Sequence, residues 1–180
     1  MQFKHGTSKK PNFVEKKGNI MAIQIQKRLF SVDEYQKMAE VGILPERGIE
    51  LINGEIFELS PIGSKYAKVV NKLTKLLALL VGDNTIMNIQ NPIIAGDFSE
   101  PEPDVALLKY RTDFYEKELP HGADVLLIIE VAETSFGYDS KIKLPLYAAS
   151  GIPELWLVDL EKKKFTNIGS PKRVVINTVK

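Results

Sequence analysis

The chain has 180 residues, enough for one well-buried domain and short for two. Its 24 Lys and Arg against 23 Asp and Glu leave a formal charge of +1, so any attraction to nucleic acid has to come from a local patch. With no cysteine, disulfides, thiolate metal sites and cysteine nucleophiles are excluded together.

Residues 1–20 are polar and lysine-rich and read as a flexible N-terminal extension, with 21–180 as a single domain. No stretch is long and apolar enough to span a bilayer, so the expectation is a cytoplasmic protein. Ser31-Val32-Asp33-Glu34 is a capping box, which predicts a short helix ending near Gly42. Ile49–Ile52 and Glu55–Leu59 flank Asn53-Gly54, a pair that tolerates positive φ at both centres of a type I′ turn and predicts a hairpin. Glu50, on its first strand, taken alone reads as a solvated strand-face charge. From about Ser64, an apolar stripe of Tyr66, Val69, Val70, Leu73, Leu76, Leu77 and Leu80 predicts a long helix laid on a sheet. Its lysines 65, 68, 72 and 75 read as a solvated face.

Thr85 to Ile94 predicts a strand interrupted at Asn91-Pro92. In Glu102-Pro103-Asp104-Val105, the proline fixes its own φ and biases Glu102 toward extended backbone, which presents Asp104 at the start of an apolar strand. A short helix is expected around Asp113 to Glu118. His121 reads as a loop residue rather than a general base. Val125 to Ile129 is an aliphatic run with no polar face, as expected of a strand buried on both sides. Glu130 continues that strand, and a carboxylate beside a buried core requires a cation or a hydrogen-bonding network.

Tyr138 to Ser150 has helical character, broken into two pieces or kinked at Pro145. Asp139, Lys143 and Tyr147 recur at four-residue spacing and could share a face. Ile152 to Asp159 predicts the next strand, Glu161 to Lys164 a charged turn, and Val174 to Ile176 an edge strand. Alternating helices and strands indicate an α/β fold. If it brings Asp104 beside Glu130, two hard carboxylates suit Mg²⁺ or Mn²⁺, and a nearby ammonium could stabilise charge on a phosphoryl group. Lys143 is the candidate ammonium and Lys141 its local rival.

Glu-Leu-Ile-Asn-Gly-Glu from Glu50, Glu-Pro-Asp from Glu102, Glu-Val-Ala-Glu-Thr-Ser from Glu130 and the block from Tyr138 to Asp159 together resemble the Uma2 family, also called DUF820. That family is grouped with restriction endonucleases of the PD-(D/E)XK nuclease superfamily. The resemblance implies an α/β restriction-endonuclease-like mixed sheet flanked by helices, and a Mg²⁺-dependent endonuclease acting on DNA. It implies metal ligation by Asp104 and Glu130, with Lys143 as the third catalytic residue. A common form of the nuclease motif has lysine two residues after the glutamate, where this chain has Ala132; the Uma2 pattern matches its lysine to Lys143. Asp139 would then orient Lys143, and Glu50 would join the metal shell or support it. Tyr66 departs from the histidine often found near its position in the family.

A homodimer would suit a nuclease that acts on two strands. The competing reading is a catalytically inactive nuclease-fold protein that binds nucleic acid or another protein through the same surface. A purely structural reading leaves Asp104, Glu130 and Lys143 without a common explanation.

Overall fold

The structure, a computed structural model, describes residues 26–45 and 47–169. The expected extension over 1–20 and the edge strand at Val174 to Ile176 lie outside them. Helix α1 (Val32–Glu40) begins at the capping box: the Ser31 hydroxyl accepts the Glu34 amide at 3.2 Å, and the Glu34 carboxylate accepts the Ser31 amide at 3.1 Å. Its buried Val32 and Tyr35 pack on Leu51 of the hairpin β1 (Ile49–Ile52) and β2 (Glu55–Glu58). At the turn, Asn53 and Gly54 have φ of 50° and 79°, as the type I′ geometry demands. The hairpin is a separate two-stranded sheet, tied to the rest by paired amide bonds between Leu51 and Glu100.

Five strands form the main sheet, in chain and spatial order β3 (Thr85–Ile89), β4 (Val105–Lys109), β5 (Val125–Ala132), β6 (Leu155–Asp159) and β7 (Lys164–Ile168). All neighbours are antiparallel except β5 and β6, which are parallel and joined by a helical crossover. The sheet is therefore mixed. Helix α2 (Ser64–Val81) covers one face, with Val70 and Leu77 against Leu127, Ile129 and Val131 of β5. Ile128 and Ala132 point to the other face, into a cluster with Leu144, Tyr147 and Ile152. Strand alternation places Glu130 on that second face, between Ile128 and Ala132.

The crossover is α3 (Phe136–Tyr138), a π-helical turn (Asp139–Lys143) and α4 (Leu144–Ala149). In the π turn the Leu144 amide reaches back five residues to the Asp139 carbonyl. Pro145 falls in the first turn of α4, where a missing N–H costs least. The break expected at this proline is thus a change of helical register just before it.

Three expectations about the course of the chain fail. The segment 113–118 forms turns instead of a helix, because Phe114 and Tyr115 adopt left-handed backbone at φ 50° and 61°. Leu76 is 53% exposed and falls outside the stripe that faces the sheet. Lys164 opens β7 rather than closing a turn; the turn is completed by Lys163 at φ 51°, and Phe165 stands edge-on to Trp156 with ring centroids 5.1 Å apart.

Candidate active site

Four carboxylates and one ammonium come together where the hairpin, the start of β4, the end of β5 and the π turn meet. Lys143 is 4% exposed, and its three N–H bonds find three acceptors. These are Glu130 Oε1 at 2.9 Å, Glu50 Oε2 at 3.2 Å and the Glu102 carbonyl at 3.1 Å. Burial works against its charge, but Glu130, aided by Tyr147 and Glu50, outweighs that and holds its pKa well above the ordinary lysine value.

Glu130 occupies the buried face of β5. Its Oε1 also accepts the Tyr147 hydroxyl at 2.6 Å. Burial pushes its carboxyl up to about 8; Lys143 pulls it down, and the charges of Asp104 and Asp139 add to the rise. Ala132, two residues on, is fully buried against the crossover cluster. Its methyl occupies the place where a strand lysine would stand, and the ammonium arrives from the helix instead.

Asp104 precedes β4 directly. Its Oδ2 accepts the Val131 amide of β5 at 2.6 Å, and its Oδ1 accepts the Tyr66 hydroxyl. Burial pushes Asp104 up to about 6, opposed by those two hydrogen bonds and by Lys143. Because Val131 follows Glu130, the amide bond holds Asp104 at the same end of β5 as Glu130.

Glu50 is 1% exposed, which corrects the reading of it as a solvated strand charge. The hairpin turns this residue inward. Its Oε1 accepts the Tyr138 hydroxyl at 3.0 Å, and its Oε2 accepts the Glu102 amide at 3.1 Å as well as Lys143. Asp139 is also buried, but it accepts the Ser135 hydroxyl at 2.6 Å and forms no ion pair with Lys143. Its influence on the lysine is through the field, not through contact. Lys141 is exposed and outside the cluster, as are Lys68, Lys72 and Lys75; Glu133 pairs with Lys65 at 3.2 Å nearer the surface. His121 is exposed and caps a short 3₁₀ turn.

Tyr66, Tyr138 and Tyr147 each bond a site carboxylate, and none was assigned that part from sequence. A tyrosine on an apolar helical stripe needs a partner for its hydroxyl, which is the one signal the sequence carries. A groove of about 1010 Å³ opens over the cluster. Glu50, Glu102, Asp104 and Asp139 face it together with Lys143 and Arg47. Acid outnumbers base along these walls. Among the described residues no three Asp, Glu, His or Cys side chains are arranged to hold a metal ion, so a cation on Asp104 and Glu130 would complete its shell with other oxygens.

The family model described as "Putative restriction endonuclease", Uma2, matches residues 32–176. The chain belongs to the Uma2 family. The Uma2 match includes Glu50, Asp104, Glu130, Asp139 and Lys143, so the whole cluster lies within it. A crystal structure described as "a putative nuclease belonging to DUF820" from Anabaena variabilis ATCC 29413 superposes with a TM-score of 0.58. It is 17% identical and covers 81% of this chain and 88% of that one. At that identity the likeness speaks for a shared fold, here the mixed sheet flanked by helices. No curated protein matches this Uma2 sequence.

Proposed function

We propose that this Uma2 protein is a Mg²⁺-dependent endonuclease, with Mn²⁺ as an alternative ion, that hydrolyses DNA phosphodiester bonds at the groove over Asp104, Glu130 and Lys143. The observation that carries this reading is the 2.9 Å contact of Lys143, supplied by the crossover, with Glu130 at the end of β5 where the Val131 amide also holds Asp104. It supplies the carboxylate and ammonium pairing of a phosphoryl-transfer site even though the strand itself has no lysine. Asp104 and Glu130 offer hard oxygen donors, held at the same end of β5 by the bond between Asp104 Oδ2 and the Val131 amide. That donor set fits a hard divalent cation. When bound, such an ion supplies Lewis acidity and a more acidic water.

The chain's own groups have distinct tasks. In hydrolysis a water oxygen bonds to phosphorus and gives up a proton to solvent, the bond to the leaving sugar oxygen breaks, and that oxygen takes up a proton from solvent. Lys143, its three donors engaged by Glu130, Glu50 and the Glu102 carbonyl, acts on the developing phosphoryl charge through its field rather than by a hydrogen bond. Glu50 and the Glu102 carbonyl keep it in place, so little reorganisation is required at the moment of reaction. Tyr147 holds Glu130, and the Val131 amide holds Asp104. A groove this acidic repels a polyanion in the absence of cations, which makes DNA engagement dependent on the divalent ion.

The test is cleavage of mixed linear and circular DNA with Mg²⁺ or Mn²⁺ by the intact chain, Asp104→Ala and Lys143→Ala. Cleavage by the intact chain alone supports the assignment. Equal activity in all three removes it, and metal-independent DNA binding without turnover supports an inactive binding protein instead.

A further inference from the structure

We infer that Tyr66 and Gln90 form a relay that positions Asp104 for its cation. The inference rests on the metal-dependent reading above and adds to it two residues from outside the acidic motif. Tyr66 comes from α2, on the opposite side of the sheet from Lys143 and Tyr147. Its hydroxyl donates to Asp104 Oδ1, while the Gln90 side-chain amide donates to the Tyr66 oxygen at 3.2 Å. Gln90 thereby fixes the direction of the phenolic proton: with the tyrosine oxygen already accepting, its hydrogen points at the carboxylate.

Gln90 grips Asp104 a second time, since its backbone amide donates to the Asp104 carbonyl at 3.2 Å. It does so in left-handed backbone at φ 51°, a conformation that costs a non-glycine residue energy and concentrates at functional sites. One residue beyond the end of β3 thus bears on both the main chain and the carboxylate of Asp104. Both Tyr66 and Gln90 line the groove. With Val131 holding Oδ2, the carboxylate is braced at both oxygens, which leaves the remaining lone pairs in a fixed direction. Hydrogen bonds of this kind to a ligating carboxylate set its orientation and typically change metal affinity about 10- to 100-fold when lost.

The test uses the full chain stripped of metal and titrated with Mn²⁺ in a calorimeter, together with Tyr66→Phe, Gln90→Met and the double variant. Tyr66→Phe keeps the packed ring and removes the donor. It is expected to bind Mn²⁺ about 10- to 100-fold more weakly. Gln90→Met is expected to weaken binding less, and the double variant to be no weaker than Tyr66→Phe alone, because Gln90 acts through the tyrosine hydroxyl. With DNA, kcat falls in the single variants while KM for DNA stays near the intact value, a split that general loosening of the fold does not produce. If Tyr66→Phe melts prematurely, the Gln90→Met titration carries the test, since that side chain sits at the groove wall.

Mn²⁺ affinity within twofold of the intact chain in both single variants, or losses that add in the double variant, overturns the relay. An intact chain that binds no Mn²⁺ overturns the metal-dependent reading itself and the relay with it. The two failures are therefore distinguishable.

Discussion

Lys143 and Glu130 form a 2.9 Å ion pair in which neither side chain is more than 5% exposed. A pair buried this deeply is costly to desolvate and costlier to break from one side. Lys143→Met leaves Glu130 and Glu50 facing each other without a cation. It is expected to lose about 3–5 kcal/mol in urea unfolding. Lys143→Met combined with Glu130→Gln recovers part of that loss, and a coupling below about 0.5 kcal/mol in the double-mutant cycle contradicts the geometry.

Tyr147 tests the same carboxylate from a different side. Its hydroxyl is one of two donors on Glu130 Oε1, and the residue is fully buried. Tyr147→Phe keeps the ring in the core and deletes one charge-assisted hydrogen bond, for an expected loss of about 2 kcal/mol. With Lys143 still paired, the fold persists. Cleavage is expected to fall roughly tenfold, since the carboxylate gains freedom to turn; unchanged activity would mean that Lys143 alone orients Glu130.

What was legible in the sequence was local. The Asn53-Gly54 turn, the Ser31 cap and the aliphatic run before Glu130 each carry their geometry in adjacent residues, and all three take the expected form. The family resemblance and the mixed sheet flanked by helices stand on the same patterns. The burial of Glu50 was hidden because it depends on Tyr138 and Lys143, 88 and 93 positions later. Strand alternation identifies a face without saying what covers it. The tyrosine hydroxyls were hidden for a related reason: helical periodicity counts the ring as apolar and is silent about its oxygen. Strand β7, at the edge of the sheet among the described residues, escaped notice because it is mostly exposed, with no alternation to mark it.

Glu100, on the wall of the same groove, offers a pH test at a residue outside the proposed ligand set. It is 7% exposed, and its Oε2 accepts the Gln36 amide at 2.8 Å. Burial raises its pKa above the ordinary value, with the Gln36 bond opposing the rise. The folded state therefore binds this proton more tightly than the unfolded state, and its contribution to stability is lost as pH rises through the raised value. Glu100→Gln keeps an acceptor for Gln36 and removes the buried charge. Above that window the variant is expected to be more stable by roughly 1 kcal/mol, with the difference vanishing near about pH 4, where the native glutamate is protonated in both states. Denaturant midpoints at the two ends of the range check it, and a variant that is less stable at about pH 8 refutes it.

Gly54 links the hairpin turn to the site. Its φ of 79° suits glycine, and a Cβ there would lie 2.5 Å from Leu29 Cβ, with Leu29 Cα at 3.2 Å. Neither atom is the free end of a side chain, so the backbone itself must yield. The turn is pinned on both sides, by the Phe30 amide on the Gly54 carbonyl at 2.9 Å and by the Gly54 amide on the Phe98 carbonyl at 2.7 Å. Gly54→Ala is expected to cost about 2–3 kcal/mol from left-handed strain and this clash together. Relief requires the hairpin to shift, and Glu50 sits on its first strand, four residues from the glycine. Movement there lengthens the 3.2 Å contact with Lys143, so DNA cleavage should fall along with the melting temperature. Asn53→Gly is the control: at φ 50° a glycine removes strain without meeting Leu29, and both stability and cleavage should stay close to those of the intact chain. If Gly54→Ala melts early yet cleaves at the native rate below its transition, the hairpin does not set the position of Lys143.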